Sequence, residues 1–123
     1  MKLVLDTDVL YNKQFFNWLL NSDEEKYLSA VVYMEYLYNQ TNMGNTPSMV
    51  DTILNEMNVV VVPIGTEEAK MVIEKSSKDF VKNARDYVVG STAILLDAHL
   101  VTDNLENFKW LENVCTPAQI LEK

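Results

Sequence analysis

Four consecutive valines, Val59 to Val62, constrain the fold of this chain more than any other segment. Valine is branched at Cβ and favours extended backbone. An apolar run with no polar residue at alternate positions is typical of a strand that is covered on both faces. Such strands occur in parallel sheets, where helices lie on either side. The run therefore predicts a parallel sheet, and the rest of the chain must supply the covering helices.

The remaining sequence alternates between short apolar runs and segments with apolar residues at helical spacing. Strands are predicted at 2–5, 27–29, 59–62, 99–102 and 113–115. Helices are predicted at 9–20, 30–40, 47–57, 66–83, 87–96, 105–111 and 117–121, four of them capped by Ser29, Thr46, Thr66 and Thr116. This order predicts one domain over residues 1–123, a three-layer α/β/α sandwich with a central parallel sheet.

The composition suits a compact protein, with 48% hydrophobic residues and only 3 Gly and 3 Pro. No apolar run reaches the roughly 18 residues that a membrane span needs. The start of the chain runs straight into a strand, unlike a signal peptide. The single Cys115 allows no internal disulfide. We therefore expect a cytoplasmic protein with no membrane partner.

Acidic residues interrupt or end several of the segments that are otherwise suited to burial. Asp6 and Asp8 follow the first strand, and Asp103 and Asn104 follow the strand at 99–102. In an open α/β sheet, ligands bind outside the carboxyl ends of the strands. Buried carboxylates must pair, become protonated or bind a cation. One shared cation site at this edge is the resulting hypothesis.

Two further acids are predicted to join this site. Asp86 is expected to open the helix at 87–96, and Glu35 is expected to point inward from the helix at 30–40, on the face of Val31, Met34 and Tyr38. Each acid taken alone also fits a structural role, as a helix cap, a turn residue or a partner for a lysine. Taken together, their oxygen ligands favour Mg²⁺ or Mn²⁺ over zinc. The only histidine, His99, is expected to pack in the core.

The net charge of −8 is unfavourable for binding a nucleic acid. Cations at the acidic site would offset part of this charge and bridge to phosphate. Lys75, Lys78, Lys82 and Arg85 are spaced to share one helix face that leads to Asp86, and a solvated helix face is the alternative interpretation.

The sequence contains no phosphate-binding glycine loop, no dinucleotide-binding turn and no nucleophile elbow. Hydrolysis of a phosphodiester through metal-activated water remains as the chemistry that fits the acids.

At these positions the sequence resembles the PIN-domain family of metal-dependent ribonucleases, which includes the VapC-type toxins of toxin–antitoxin pairs. The resemblance covers nearly the whole chain and rests on four segments: Leu5 to Leu10, Leu28 to Tyr38, Arg85 to Ala93 and Leu100 to Phe108. It implies a Mg²⁺- or Mn²⁺-dependent endoribonuclease that cleaves RNA. It also implies a homodimer and, for a toxin, an antitoxin that covers the acidic cleft, with an inserted arginine as one means.

The resemblance assigns roles to individual residues. Asp6, Glu35 and Asp86 would bind the metal, with Asn104 at the fourth metal position and Asp103 in a slot that varies in the family. Asn104 in place of an acid lowers the charge of the site, so either Asp103 substitutes for it or metal binding is weaker. Asp8 would orient a ligand or a water. Thr102 would hydrogen-bond a carboxylate or the phosphate. Lys82 and Arg85 would contact RNA phosphates.

Two alternatives stay open. The chain could be an interaction module of the same fold with weak catalysis, whose acidic cleft binds a basic segment of a partner. It could also be another Mg²⁺-dependent phosphohydrolase, since Asp-x-Asp after a strand also begins the haloacid-dehalogenase phosphatases.

Overall fold

The computed structural model describes all 123 residues and contains one five-stranded parallel sheet. The strands are β1 (Lys2–Leu5), β2 (Glu25–Ser29), β3 (Val59–Val62), β4 (His99–Val101) and β5 (Val114–Cys115), in the order β3-β2-β1-β4-β5. The α-helices are α1 (Lys13–Asn21), α2 (Ala30–Asn42), α3 (Pro47–Glu56), α4 (Thr66–Lys75), α5 (Phe80–Leu96) and α6 (Pro117–Leu121), and 3-10 helices span Thr7–Tyr11 and Leu105–Phe108. The predicted α/β/α sandwich is confirmed. No helix in it has both the length and the apolar character that a membrane crossing needs.

Strand β1 forms the centre of the sheet and of the hydrophobic core. It pairs with β2 on one side and β4 on the other, and Leu3, Val4 and Leu5 are fully buried. Each of these side chains stabilises the fold by roughly 1.5–3 kcal/mol relative to an exposed position. Asp6, the polar residue that follows β1, is therefore held in place by a rigid, buried strand.

The valine run does form a strand, but the prediction that both of its faces are covered was wrong. Strand β3 lies at the edge of the sheet and pairs only with β2. Val59 is buried, whereas Val60 is 55% exposed. The helix that precedes β3 covers one face of the strand, and the other face is left partly open to solvent. The position of a strand within a sheet depends on distant segments, so the local run could not reveal it.

Two predicted helices are each divided in the structure. The segment at 9–20 is a 3-10 helix followed by α1, because the side chain of Asn12 accepts a hydrogen bond from the backbone of Phe15 at 3.0 Å and starts a new helix. The segment at 66–83 ends at Lys75, and α5 begins at Phe80. The N-cap of α4 is Gly65 and not Thr66, which is the first residue of the helix; Gly65 donates its N–H to the side chain of Glu68 at 3.2 Å.

The early start of α5 corrects two further predictions. Asp86 lies inside this helix and does not open it. The basic residues do not share one helix face either, because Lys75 ends α4 while Lys82 and Arg85 belong to α5. The backbone of α5 departs from helical geometry at Asn83, two residues before Arg85.

A buried lysine connects β2 to the ends of two helices. Lys26 is 2% exposed, and its ammonium group donates to the carbonyl oxygens of Leu19 at 2.7 Å, Ser22 at 2.6 Å and Met57 at 2.9 Å. Burial lowers the pKa of Lys26, and two nearby acids oppose this effect. The three carbonyls lie where α1 and α3 end, so the lysine satisfies acceptors that helix ends leave without partners.

The connections of the sheet place a crevice beside β1. The chain passes from β1 toward β2 but from β4 toward β5, so the direction of the connections reverses between β1 and β4. Ligands of open α/β sheets bind outside the carboxyl ends of the strands at such a reversal. Leu5 pairs with Val101, so the residues that follow these two strands are neighbours.

Candidate active site

Asp6 lies at this crevice, and two hydrogen bonds from the adjacent backbone and strand fix its carboxylate. Its Oδ1 atom accepts from the backbone N–H of Thr7 at 2.8 Å, so Asp6 caps the following 3-10 helix. Its Oδ2 atom accepts from the hydroxyl of Thr102, the residue after β4, at 2.8 Å. Asp6 is only 4% exposed. A buried carboxylate needs such partners, and both are supplied by residues at the strand ends.

Glu35 reaches the same crevice from α2. Its Oε1 atom accepts from the hydroxyl of Thr7 at 2.5 Å. Burial favours the protonated form of Glu35, but the hydrogen bonds from Arg85 and Thr7 and the charge of Arg85 outweigh this and hold its pKa below the usual value. Glu35 is therefore charged at neutral pH.

The face of α2 that carries Glu35 borders an open cleft, so the prediction that this face points inward was wrong. Met34 is 61% exposed and Tyr38 is 67% exposed. The core-facing side of the helix carries Val32 and Tyr36 instead. The two faces are both apolar, and the sequence alone does not show which one the sheet covers.

Arg85, the only arginine in the chain, binds all three of the predicted metal-binding acids. Its Nη2 atom lies 2.6 Å from Asp6 Oδ1 and 2.6 Å from Glu35 Oε1, and its Nε atom donates to Glu35 Oε2 at 3.0 Å. Its Nη1 atom donates to Asp86 Oδ1 at 3.0 Å. Burial disfavours the charged guanidinium, but the hydrogen bonds to Glu35 and Asp6 and their charges raise the pKa of Arg85 above its usual value.

Asp6, Glu35 and Arg85 border an open cleft of about 780 Å³, whereas Asp86 contacts Arg85 but does not line the cleft. Three carboxylates face one guanidinium, which leaves a formal charge of −2 on the four side chains. Thr7 was not among the sequence candidates, although its hydroxyl contacts both Glu35 and Arg85. Its position between Asp6 and Asp8 was the only sequence signal that could have indicated it.

The last predicted metal position is divided between two residues. Asn104 borders the cleft, and its backbone N–H donates to the hydroxyl of Thr102 at 3.0 Å. Asp103 is exposed and is not part of the cleft wall; its backbone N–H donates to Asp8 Oδ2 at 3.3 Å. Asp8 reaches solvent at the rim, yet desolvation on its protein side and then the charges of Asp6 and Asp103 raise its pKa to about 6.

Two other predicted residues lie away from the cleft. Lys82 is exposed on α5 and does not border it. His99 is also exposed, so the expectation that it packs in the core was wrong. His99 is the first residue of β4, where the strand emerges from the preceding turn at the edge opposite the acids.

The donor set fits a hard divalent cation in its chemistry. Carboxylate and hydroxyl oxygens are the ligands that Mg²⁺ and Mn²⁺ prefer. The guanidinium is a stand-in cation: Asp6 Oδ1 and Glu35 Oε1 bind the same nitrogen, so they lie no further apart than twice 2.6 Å. No three acidic, histidine or cysteine side chains are spaced to hold a metal ion together in this arrangement. Asp6 and Glu35 instead share the Nη2 atom of Arg85, and Asp86 binds its Nη1 atom.

Several solved structures have the same fold. A toxin–antitoxin complex from Klebsiella pneumoniae aligns over 94% of this chain and 98% of its own, with a TM-score of 0.75 and 17% identity. VapBC2 from Rickettsia felis, bound to a DNA fragment from its promoter, aligns over 94% and 97%, with a TM-score of 0.67 and 20% identity. DNA-bound VapBC from Salmonella typhimurium aligns over 95% and 98%, with a TM-score of 0.66 and 18% identity. At the level of the fold, these likenesses confirm the predicted resemblance to VapC-type PIN domains.

The likeness is one of structure and not of sequence. No protein-family model matches the sequence, and no curated protein matches it either.

Proposed function

We propose that this chain is a Mg²⁺- or Mn²⁺-dependent endoribonuclease, acting as one PIN-like domain in the cytoplasm as the toxin of a toxin–antitoxin pair. The observation that carries the proposal is the convergence of Asp6, Glu35 and Asp86 on a single cation at the reversal point of the sheet. These acids come from three separate segments of the chain. A site that gathers them at the ligand-binding edge, with residual negative charge, is suited to a divalent cation.

In this proposal Asp6, Glu35 and Asp86 hold the cation, and Asn104 supplies the carbonyl oxygen of a fourth position. A divalent cation bound there supplies water activation and charge neutralisation at the scissile phosphodiester. Thr102 holds the Asp6 carboxylate in place through its hydroxyl. The position of Asn104 at the cleft supports it over Asp103 for the fourth position.

Asp8 is proposed to orient the attacking water from the rim. Its raised pKa of about 6 means that its carboxylate takes up and releases a proton closer to neutral pH than an ordinary aspartate does. Asp103 contributes to that environment through its charge and through its backbone N–H.

The rim of the cleft offers aromatic surface for single-stranded RNA. Tyr11 is 43% exposed and Tyr38 is 67% exposed, and both border the cleft. Base stacking on aromatic side chains tolerates any base and needs few positive charges, which suits an acidic protein. Lys82 lies outside the cleft and would contact a phosphate only beyond the reacting nucleotide. Arg85 reaches a phosphate only when it leaves the carboxylates.

The proposed partners are an antitoxin and a second copy of the chain. Met34 lines the cleft and Leu20 lines a separate pocket that shares Tyr11 with it; both are exposed apolar side chains that an antitoxin segment would cover. Val81 on α5 is 88% exposed and is available for a homodimer contact. Light scattering on the purified chain measures the dimer directly, and co-expression with the product of the neighbouring open reading frame tests the antitoxin.

The first test replaces Asp6 by asparagine and measures Mn²⁺-stimulated cleavage of single-stranded RNA. Residues that merely support metal ligands cost about 10- to 100-fold when removed, so Asp6→Asn should lower cleavage by at least about 100-fold. The fold should be retained, because asparagine keeps an acceptor for Thr7 and offers a donor to Thr102. The control is Glu106→Gln, since Glu106 is exposed and pairs only with Lys109. Full activity of Asp6→Asn in a folded protein would refute the mechanism.

A non-catalytic interaction module is the second candidate. Two observations favour it: the residue at the proposed fourth metal position, Asn104, is an amide, and the acids are already paired with Arg85. This candidate predicts neither Mn²⁺ binding nor RNA cleavage by the wild-type chain. Turnover of a phosphate monoester without RNA cleavage would instead indicate the phosphohydrolase alternative.

A further inference from the structure

The hydrogen bonds of Arg85 leave no free lone pair on the two central oxygens of the site. Asp6 Oδ1 accepts from the backbone N–H of Thr7 and from Arg85 Nη2. Glu35 Oε1 accepts from the hydroxyl of Thr7 and from the same Nη2 atom. A carboxylate oxygen has two lone pairs in its plane. A cation can therefore bind through these two oxygens only after one donor has left each of them.

Arg85 is the donor that can leave both. The N–H of Thr7 belongs to the backbone and is fixed at the start of the 3-10 helix. Arg85 is a long side chain that is 32% exposed as a whole, so it has a route to solvent. An arginine suits this position better than a lysine would. The chain has nine lysines and one arginine, and the arginine stands where several carboxylate oxygens must be bound by one planar group.

We propose that Arg85 is an internal counter-ion that holds the three carboxylates together in the metal-free protein and is displaced when a divalent cation binds. The inference rests on the proposed function, because it concerns the loading of the same site. The internal counter-ion keeps the acids from repelling one another before the cation arrives. It also lowers the apparent affinity for the cation, since only the fraction of molecules with Arg85 withdrawn can bind. After withdrawal, the guanidinium is positioned at the cleft for a phosphate.

The first experiment uses the wild-type chain. Because Arg85 is the only arginine, a ¹⁵N-labelled protein gives a single arginine Nε–H signal that needs no assignment by mutation. In the metal-free protein this N–H is bonded to Glu35 Oε2, so its exchange with solvent should be slowed. Adding Mg²⁺ should move the signal to that of a solvated arginine and speed its exchange, with the midpoint at the Mg²⁺ dissociation constant measured by calorimetry.

The second experiment compares Mn²⁺ affinities by calorimetry. Arg85→Gln should bind Mn²⁺ at least about fivefold more tightly than the wild type, because the competing state is lost. The matched control is Lys78→Gln, which removes the same charge from an exposed position outside the cleft and should change the affinity less than twofold. Circular dichroism checks that Arg85→Gln remains folded, and the experiment on the wild-type chain does not depend on that variant.

The outcomes separate this inference from the proposed function. If the wild type binds Mg²⁺ and cleaves RNA while the Nε–H signal stays unchanged at saturation, the internal counter-ion is refuted and the nuclease stands. The same holds if Arg85→Gln and Lys78→Gln bind Mn²⁺ equally. If neither the wild type nor Arg85→Gln binds Mg²⁺ or Mn²⁺, the proposed function fails, and the displacement of Arg85 fails with it.

Discussion

The contact between Gly90 and Trp110 gives a stability prediction whose sign depends on a single ring. Gly90 lies in the buried part of α5, which also carries Arg85 and Asp86. A Cβ atom at Gly90 would lie 2.4 Å from Cη2 and 2.6 Å from Cζ2 of Trp110. Comfortable carbon–carbon contacts need about 3.5–4.0 Å. Gly90→Ala therefore forces the indole ring to move by more than about 1 Å.

The ring is held on several sides. Trp110 packs against Tyr87, with ring centroids 4.9 Å apart, and against Phe108 at 6.3 Å. Its Nε1–H donates to the carbonyl of Asn107 at 3.2 Å. Overpacking of this kind costs about 1–3 kcal/mol, and each aromatic pair that is disturbed costs a further 0.5–1.5 kcal/mol or so. Alanine in a helix interior regains only roughly 0.5–1 kcal/mol over glycine. The net loss in the free energy of unfolding should be about 2 kcal/mol.

A double-mutant cycle tests the reasoning. In a Trp110→Ala background the obstacle is gone, so Gly90→Ala should raise the free energy of unfolding by up to about 1 kcal/mol. The coupling between the two sites should then be about 3 kcal/mol. Urea denaturation followed by circular dichroism gives all four free energies, and the single variant Gly90→Ala should melt about 8 °C below the wild type. If Gly90→Ala has the same effect in both backgrounds, the close contact does not determine the role of this glycine.

Two further predictions concern groups outside the cleft. Lys26→Met removes the donor from three carbonyls at helix ends. Because a buried acceptor without a partner costs about 1–3 kcal/mol, the free energy of unfolding measured with urea should fall by roughly 3 kcal/mol. A fall below about 1 kcal/mol would show that water replaces the ammonium. The side chains of Ser77, Tyr87 and Asn83 donate to Asp79 and hold its pKa below the usual value. The stability from this group is therefore present above the unfolded pKa of about 4 and is lost as the pH falls through the lower folded pKa. Asp79→Asn should flatten the acid limb of a plot of melting temperature against pH. An unchanged acid limb would contradict the assignment.

The strands were predictable because their signals are local. The apolar runs at β1 and β4 and the polar residues that end them are adjacent in sequence. Parallel strands bring their carboxyl ends to one edge, so the meeting of Asp6 and Thr102 follows from the sheet alone. The position of a strand in the strand order of the sheet, in contrast, is not determined by the local sequence. The four valines of β3 are more hydrophobic than β1, yet β3 is at the edge, because strand order is decided by which segments pair.

Helix limits failed where a side chain, and not the apolar pattern, ends the helix. Asn12 starts α1 by accepting a hydrogen bond from Phe15, and the apolar spacing continues across it without a break. Between α4 and α5 the spacing of the lysines suggested one continuous helix, but α4 ends at Lys75, and Asp79 caps α5 without a side-chain hydrogen bond. A pattern of apolar and charged positions reports which face is buried, but a cap depends on a single hydrogen bond. The misplaced boundary put Asp86 at the start of a helix, whereas Asp86 lies in the interior of α5.

The candidate site shows why composition of a cleft is harder to predict than its location. Asp6 was identified because a carboxylate at the end of a buried strand needs a partner, and this need can be recognised in the sequence. The partner itself was not readable, since Arg85 and Glu35 are 50 residues apart and meet only after α2 and α5 pack together. From the sequence, Arg85 had the role of a phosphate contact that adds positive charge to an acidic protein. In the folded chain it pairs with the acids and offsets one of their three charges. A metal ion or a partner's arginine must therefore compete with a cation that is covalently part of the site, and a phosphate must compete with the carboxylates for Arg85.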